Sequence, residues 1–303
     1  MKLKEIFFWA CDYNASSGEG RLGRLFIKEY KKKFKVNIKR IKPFKKKFLN
    51  YKYLSPFLGV VIAWLYFLKK KKFIYLNYLP YWNFLIFLLL PPNCKIGPIT
   101  GGANFSKKSK DYLIRKNVFP ILYCLSNIIL KFRFDNLIFS TDLLKENLPI
   151  KIIKKSKFNF IFYSIGNKKI TKKNNFKSKD LNFLFYFRKH NNKAFEFPFA
   201  LINKLISKNY SINIIGDKIN IKGVKNYGYI SHKKVLKLLE RTRYSIVSNE
   251  NIFSFFTIDC INNRVKLLTN NKVYNSIKYF KNNFVRFNFD TNNLKILKIK
   301  QCQ

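Results

Sequence analysis

The chain has 303 residues, is 48% hydrophobic and carries 61 Lys and Arg against 15 Asp and Glu, a formal net charge of +46. That length and apolar content supply two cores of ordinary domain size and exclude a polar, disordered chain. Only ten of the basic residues are Arg, which argues against a reader of base edges, where the guanidinium fork is the preferred group. What remains is a solvated lysine surface drawn to anionic lipid and, without sequence preference, to nucleic acid. The accompanying excess of Asn, Ile, Phe and Tyr is the composition of an AT-rich genome, so much of the charge reads as drift onto the surface.

In chain order, Ile6–Ala10 reads as a buried strand, Asn14–Gly20 as a Ser/Gly loop, Arg21–Phe34 as an amphipathic helix and Val36–Ile41 as a second strand: a βαβ unit. Pro56–Leu68 is 13 apolar residues, too short for a comfortable membrane span. Phe73–Leu90 holds Asn77, Pro80 and Asn83, and parses as a strand, a turn and a helix ending before Pro91. Gly97–Gly102 is a second glycine loop. Ser109–Lys131 is mostly helical with an interruption near Pro120, Asn136–Phe139 is a strand, Ser140–Asp142 caps a helix ending near Pro149, and Phe158–Ile165 is a strand. Gly166–Lys179 is polar and Lys/Asn-rich, the best linker. After it the alternation restarts: strands at Leu181–Phe187, Ser211–Gly216, Val224–Tyr229, Tyr244–Val247 and Val265–Leu268, with helices at Ala194–Lys208, Lys233–Arg241 and from Phe256. The expectation is an N-terminal acceptor-side domain over 1–166, a linker over 167–180 and a C-terminal donor domain over 181–303, both Rossmann-like and doubly wound.

Cys11, Cys94, Cys124, Cys260 and Cys302 are scattered, and with His190 and His232 they form no zinc spacing. Reduced thiols, no metal and no resident cofactor are expected. The N-terminus lacks a signal-peptide apolar region, and a cytoplasmic protein is expected. Lys45–Lys47 and Lys69–Lys72 beside apolar residues add an expected docking to the inner face of an anionic membrane.

Gly18-Glu19-Gly20-Arg21-Leu22-Gly23 has the form GxGxxG after a strand. An NAD dehydrogenase needs an acidic residue about 20 positions on to hold a ribose, and Lys39-Arg40-Ile41-Lys42 offers none, which leaves a basic, NADP-type version as a minor alternative. The remaining readings are a tight turn or helix-start N–H groups, Gly18 among them, that meet a diphosphate or an acceptor. Gly101 and Gly102 follow a strand and read as a ligand-edge loop or an ordinary turn. In the second half, Arg188 ends a strand and Lys193 precedes a helix, a pair able to grip a diphosphate leaving group. Glu250 and Asp259 bracket one apolar loop, where carboxylates can accept bonds from sugar and ribose hydroxyls, or Asp259 can complement a helix N-terminus.

At these residues the chain resembles the GT-B glycosyltransferases of family four. Phe187-Arg188…Lys193-Ala194 fits their basic element without its flanking glycines. Ile214-Ile215-Gly216-Asp217 fits the strand ending in Gly-Asp/Glu, and Tyr227-Gly228-Tyr229-Ile230-Ser231 the short glycine strand before the next helix. Glu250…Asp259 fits the acidic pair with one extra residue and Asp for the second Glu, and Arg264 and Lys266 stand where the family usually has Gly and often Pro. The resemblance implies two Rossmann-like domains facing a cleft and a metal-independent, retaining hexosyltransferase. It would act from a UDP- or GDP-sugar on an envelope glycan or lipid-linked acceptor. Arg188, Lys193 and Glu250 would be catalytic; Gly18, Gly216, Glu250 and Asp259 would bind the donor, with the diphosphate on Arg188 and Lys193, the ribose on Asp259 and the sugar on Glu250. The altered acidic element keeps open a non-catalytic, membrane-associated scaffold, and the charge alone keeps open an unspecific nucleic-acid binder.

Overall fold

The computed structural model describes residues 5–41, 54–92, 94–101, 112–166, 179–189, 198–247 and 251–289. They divide into two compact units, one within Met1–Ala103 and Asp111–Ser164, the other from Ile165 onward.

Unit 1 is built on a parallel sheet of β1 (Glu5–Trp9), β2 (Asn37–Arg40), β3 (Lys72–Tyr75) and β4 (Lys95–Ile96) in the order β2-β1-β3-β4. A bridge between Ile99 and Phe139 carries the pairing on to β5 (Leu137–Ile138), which pairs in parallel with β6 (Ser156–Lys157). Aromatic and β-branched strand residues bury Trp9, Phe73 and Tyr75 in one core with Phe87 and Phe139. Helix α1 (Gly18–Phe34) starts at Ser17, whose Oγ accepts the Gly20 N–H at 2.9 Å, and ends on left-handed Lys35. Helices α2 (Ser55–Leu68), α3 (Phe84–Leu89) and α4 (Tyr112–Arg133) follow.

Several expectations for this unit are corrected. Gly18 and Gly20 lie inside α1, not in a loop, because Ser17 caps the helix before them. Pro120 does not interrupt α4; the turn it sits in is exposed, so the Lys116 carbonyl it leaves without an amide partner can be solvated. No helix ends near Pro149. A single 3₁₀ turn covers Lys145–Asn147, and the short α5 (Ile150–Lys154) begins after the proline. The alternating run from Phe158 is a 3₁₀ turn over Phe160–Ser164, since Asn159 adopts a left-handed φ of 57° and its Oδ1 accepts the Asp142 N–H at 3.0 Å. Ile99 and Thr100 extend the pairing: Ile99 N–H donates to Ile138 O and Thr100 N–H to Leu79 O, so the middle of the expected glycine loop is bridged to its neighbours.

Unit 2 is one six-stranded parallel sheet in the order β12-β11-β10-β7-β8-β9. Its strands are β7 (Leu181–Phe187), β8 (Ile212–Gly216), β9 (Val224–Asn226), β10 (Thr242–Ile246), β11 (Lys266–Thr269) and β12 (Phe284–Arg286), joined through α6 (Phe199–Ser207), α7 (His232–Arg241), α8 (Phe255–Asn262) and α9 (Asn271–Ser276). Counted from β7, this is the doubly wound Rossmann order. Phe183, Phe185, Ile212, Ile214 and Leu268 fill its core. Arg264 holds a left-handed φ of 54°, keeping in the backbone what a glycine would supply without strain.

Most of the expected linker lies outside the described residues, but near its end one residue does not behave as linker. Lys179 is buried, and its Nζ donates to the carbonyls of Leu239 (3.2 Å), Thr242 (2.8 Å) and Asn263 (2.5 Å). Burial pulls its ammonium down to about 8.

Candidate functional site

In open parallel sheets ligands sit beyond the carboxyl ends of the strands, at the point where the strand order reverses. In unit 2 that point lies between β7 and β10, which are hydrogen-bonded neighbours. Arg188 is the first residue past β7 and is exposed. Lys193 belongs to the chain between β7 and α6, and Glu250 to the chain between β10 and α8; both lie outside the described residues, as do His190 and Gly102.

Beside Arg188 the end of β8 forms a polar corner. Gly216 has φ +101°, and a Cβ there would overlap the Phe187 carbonyl oxygen, so glycine is demanded by the backbone itself. The turn places Asp217, whose Oδ2 accepts the Lys189 N–H at 2.5 Å and whose Oδ1 accepts the Tyr229 hydroxyl at 2.8 Å. These bonds, the Lys189 amide foremost, hold its carboxyl below the ordinary range, with the Arg188 charge adding to them. Tyr186, the penultimate residue of β7, packs on Phe256 of α8 with ring centroids 5.6 Å apart.

Asp259 departs from expectation. It sits in the second turn of α8, not at the helix start, because Ser254 caps the helix five residues earlier, its Oγ accepting the Thr257 N–H at 3.2 Å. Its side chain is buried, and Oδ2 lies 3.0 Å from His232 Nε2. The pair ties the first turn of α7 to α8, giving Asp259 an internal partner where a ligand hydroxyl was expected.

Unit 1 reverses between β1 and β3, and there the residues are acidic and amide. Asn77 is buried; its Oδ1 accepts the Asp12 N–H at 3.3 Å, and its Nδ2 donates to the carbonyls of Asp12 and, at 3.4 Å, Glu19. Glu19, in the first turn of α1, has a buried Oε2 without a hydrogen-bond partner among the described residues. Burial first, then the neighbouring Asp12 charge, push its carboxyl up to about 7, against a hydrogen bond from Thr100. Gly18 is exposed, with open space where a Cβ would point. Gly20 is the constrained glycine, since a Cβ there would run into the Asn14 backbone. Gly101 is half-buried, 3.0 Å from Leu144 when a Cβ is built on it.

Asp12, Glu19, Asn77 and Thr100 were not singled out from sequence as site residues. Two signals pointed to them: Asn77 is a polar residue inside an apolar stretch, and Glu19 is an acid inside the glycine motif of an acid-poor chain. Among the described residues no group of three or more His, Cys, Asp or Glu stands together as a metal site. Cys11, Cys94, Cys124 and Cys260 are free thiols.

No protein-family model and no curated protein matches the chain. Solved structures do. An alpha-glucosyltransferase, in complex with UDP and a 13-mer DNA containing an HMU base, matches 97% of this chain and 89% of its own length at 11% identity and a TM-score of 0.51. A glycosyltransferase from Rickettsia africae matches over 89% and 80% at 10% identity and a TM-score of 0.45. A UDP-GlcNAc 2-epimerase from Methanocaldococcus jannaschii, in complex with UDP-GlcNAc and UDP, matches over 98% and 93% at 10% identity and a TM-score of 0.46. The first of these likenesses, together with the strand orders of both units, establishes the fold as GT-B, with two Rossmann-like α/β units.

Proposed function

We propose that the chain is a glycosyltransferase related to family four. It moves a hexose-type sugar from a UDP- or GDP-sugar to an envelope glycan or lipid-linked acceptor in the cytoplasm. The observation that carries this reading is the reversal point of unit 2, where Arg188 stands exposed beyond β7 beside the ordered Asp217–Tyr229 corner. The UDP bound by a solved protein of the same fold supports it.

Arg188 and Lys193 neutralise the diphosphate as the sugar leaves, the step with the greatest need for charge stabilisation, so the reaction runs without a metal and, by the family resemblance, with retention. Glu250 holds the transferred sugar. Gly216 acts by setting the turn that presents Asp217, Gly18 by opening α1, and Gly101 and Gly102 belong to the acceptor side. Asp259 acts at one remove, holding His232 and α7 against α8. Glu19 receives the hydrogen bond of the incoming acceptor hydroxyl.

The test is mass-spectrometric product analysis with UDP- and GDP-hexoses against glycan, lipid-linked and DNA acceptors. Lys193→Ala should lower kcat/KM by about 10²–10³ and weaken UDP binding in calorimetry, while chelation by EDTA leaves turnover unchanged. Unchanged UDP affinity in that variant removes the donor-site assignment. UDP binding with no turnover of any sugar favours the scaffold reading, motivated by the altered acidic element, and transfer to DNA alone overturns the acceptor.

A further inference from the structure

Unit 1 exposes more large apolar side chains than its own core explains. On α4 the residues Ile114, Val118, Ile121, Leu125, Ile128 and Phe132 recur at alternating spacings of four and three, and all six are exposed, Phe132 by 75%. Only Ser126 and Leu130 of this helix are buried. Helix α3, which packs on α4, adds exposed Leu85 and Leu88, and α2, which packs on α3, adds Trp64, Leu65 and Leu68. The three helices are joined by bonds from their own side chains. Trp64 Nε1 donates to Leu89 O at 2.8 Å, the Arg133 guanidinium donates to the carbonyls of Phe87 (3.2 Å) and Leu90 (2.5 Å) at the end of α3, and Trp82 stacks on Phe119 at 5.7 Å. The result is one apolar face broader than a single helix, of the kind that marks an interaction site.

We propose that this α2–α3–α4 face docks onto the surface of an anionic bilayer. Charge decides the occupant. None of the three helices contains an Asp or Glu, whereas α4 carries Arg115, Lys116, Lys131 and Arg133, and exposed Lys69, Lys70 and Lys71 directly follow α2. The 4-3 spacing of the α4 stripe would also suit a helix of a second copy, but self-pairing would set basic residues largely against basic residues, and exposed Asp135 just past α4 offsets only part of that charge. A lipid surface of opposite sign rewards the same residues, each Lys or Arg near it contributing attraction. Trp64 and Trp82 supply the amphipathic rings that settle at a membrane interface.

The helix lies on the membrane and does not cross it. α4 is long and apolar enough to span, yet Ser126 Oγ donates to Tyr81 O at 2.6 Å, Leu130 is in the core, and Arg133 closes α3. A spanning pose would tear these contacts from the unit, whereas an in-plane pose buries only the exposed stripe. The inference stands independently of sugar transfer.

The full chain should float with phosphatidylglycerol-containing vesicles and bind pure phosphatidylcholine at least about tenfold less. Ile121→Asp with Ile128→Asp, at two exposed positions, should lower binding to the anionic vesicles at least about tenfold with thermal melting unchanged. Lys69→Glu with Lys70→Glu provides a second variant outside the helices and should weaken binding in the same direction. Binding that persists in the double aspartate variant overturns the proposal, as does a wild-type chain that stays with the soluble fraction. A concentration-dependent dimer in sedimentation, broken by the aspartates in the absence of vesicles, assigns the face to a second copy and overturns it as well.

Discussion

At the point where its strand order reverses, unit 1 gathers Asp12, Glu19 and Asn77, with one carboxylate oxygen of Glu19 buried and unpartnered among the described residues. At the equivalent point, unit 2 sets out an exposed Arg188 and ties down its own acid, Asp217, with a backbone N–H and a tyrosine hydroxyl. The contrast is informative because the chain has 15 acids among 303 residues and a surface of lysine. A basic residue near any site is unremarkable here, so Arg188 gains its meaning from position. A buried acid is costly in any protein, so Glu19 gains its meaning from type.

The largest effect that can break this contrast is at Glu19. If its carboxyl receives the acceptor hydroxyl, Glu19→Gln should lower kcat about 10²-fold, the lower end of what a positioned proton acceptor contributes. Activity of the wild type should climb as pH rises through about 7, where the carboxyl ionises, and the variant should lose that limb. Stability must move the other way. The folded carboxyl holds its proton up to about 7 while the unfolded one releases it near the ordinary 4.5, so this group's contribution is intact below 4.5 and lost as pH rises through 7. The loss amounts to at most about 3 kcal/mol, and urea melts of the Gln variant should show a flatter pH profile. A variant with full activity and an unchanged activity–pH profile would make Glu19 a purely structural acid.

The two units also differed in how much of them could be read from sequence. In unit 2 the strands Leu181–Phe187 and Ile212–Gly216 are apolar runs bounded by polar residues, and pattern alone placed them within a residue or so. In unit 1 the strands are as short as two residues, below the length at which alternation carries information. The Phe158 run alternated like a strand, but Asn159 turns left-handed and folds it back. The β12 strand and α9 were not anticipated, since Phe284–Arg286 and Asn271–Ser276 are too short to stand out. The position of Arg188 just past a strand was legible because a cation directly after an apolar run is a local pattern. Asp259 was legible as an acid, but its burial against His232 depends on α7 packing on α8, which spacing does not encode. The Asp12–Asn77 bonds join residues 65 positions apart and had no local signal.

The next effect tests how unit 2 is closed off from the preceding chain. Lys179→Ala would leave the carbonyls of Leu239, Thr242 and Asn263 without their shared donor, and should cost about 2–4 kcal/mol in a urea melt of the full chain. Because the folded ammonium titrates near 8 and the unfolded one near 10.5, the wild type should gain stability as pH rises between those values, and the Ala variant should not. A melt unchanged by the substitution would return Lys179 to the linker.

Arg188→Ala should come next. An exposed guanidinium that bonds a diphosphate contributes about 1.5–3 kcal/mol, so UDP affinity in calorimetry should fall roughly tenfold to a hundredfold with the melting temperature unmoved. Uridine, which lacks the phosphates, should bind both proteins alike. An equal loss for uridine would place Arg188 against the base or ribose, and would remove the phosphate half of the contrast between the two edges.

The smallest effect separates a glycine kept for a ligand from one kept for the backbone. Gly18 opens α1 with nothing within 4 Å of a built Cβ and without a positive φ, whereas a Cβ on Gly20 would overlap the Asn14 backbone. Gly18→Ala should therefore stabilise the chain by about 0.4–1 kcal/mol through the unfolded state, and Gly20→Ala should destabilise it by more than that. If Gly18→Ala gains this stability and also retains UDP binding and transfer, the open space above it holds no ligand, and the glycine motif of unit 1 reduces to the packing need of Gly20. If it gains stability and loses transfer, the space above Gly18 is occupied during the reaction, because only a ligand could then object to a methyl group that the fold accommodates.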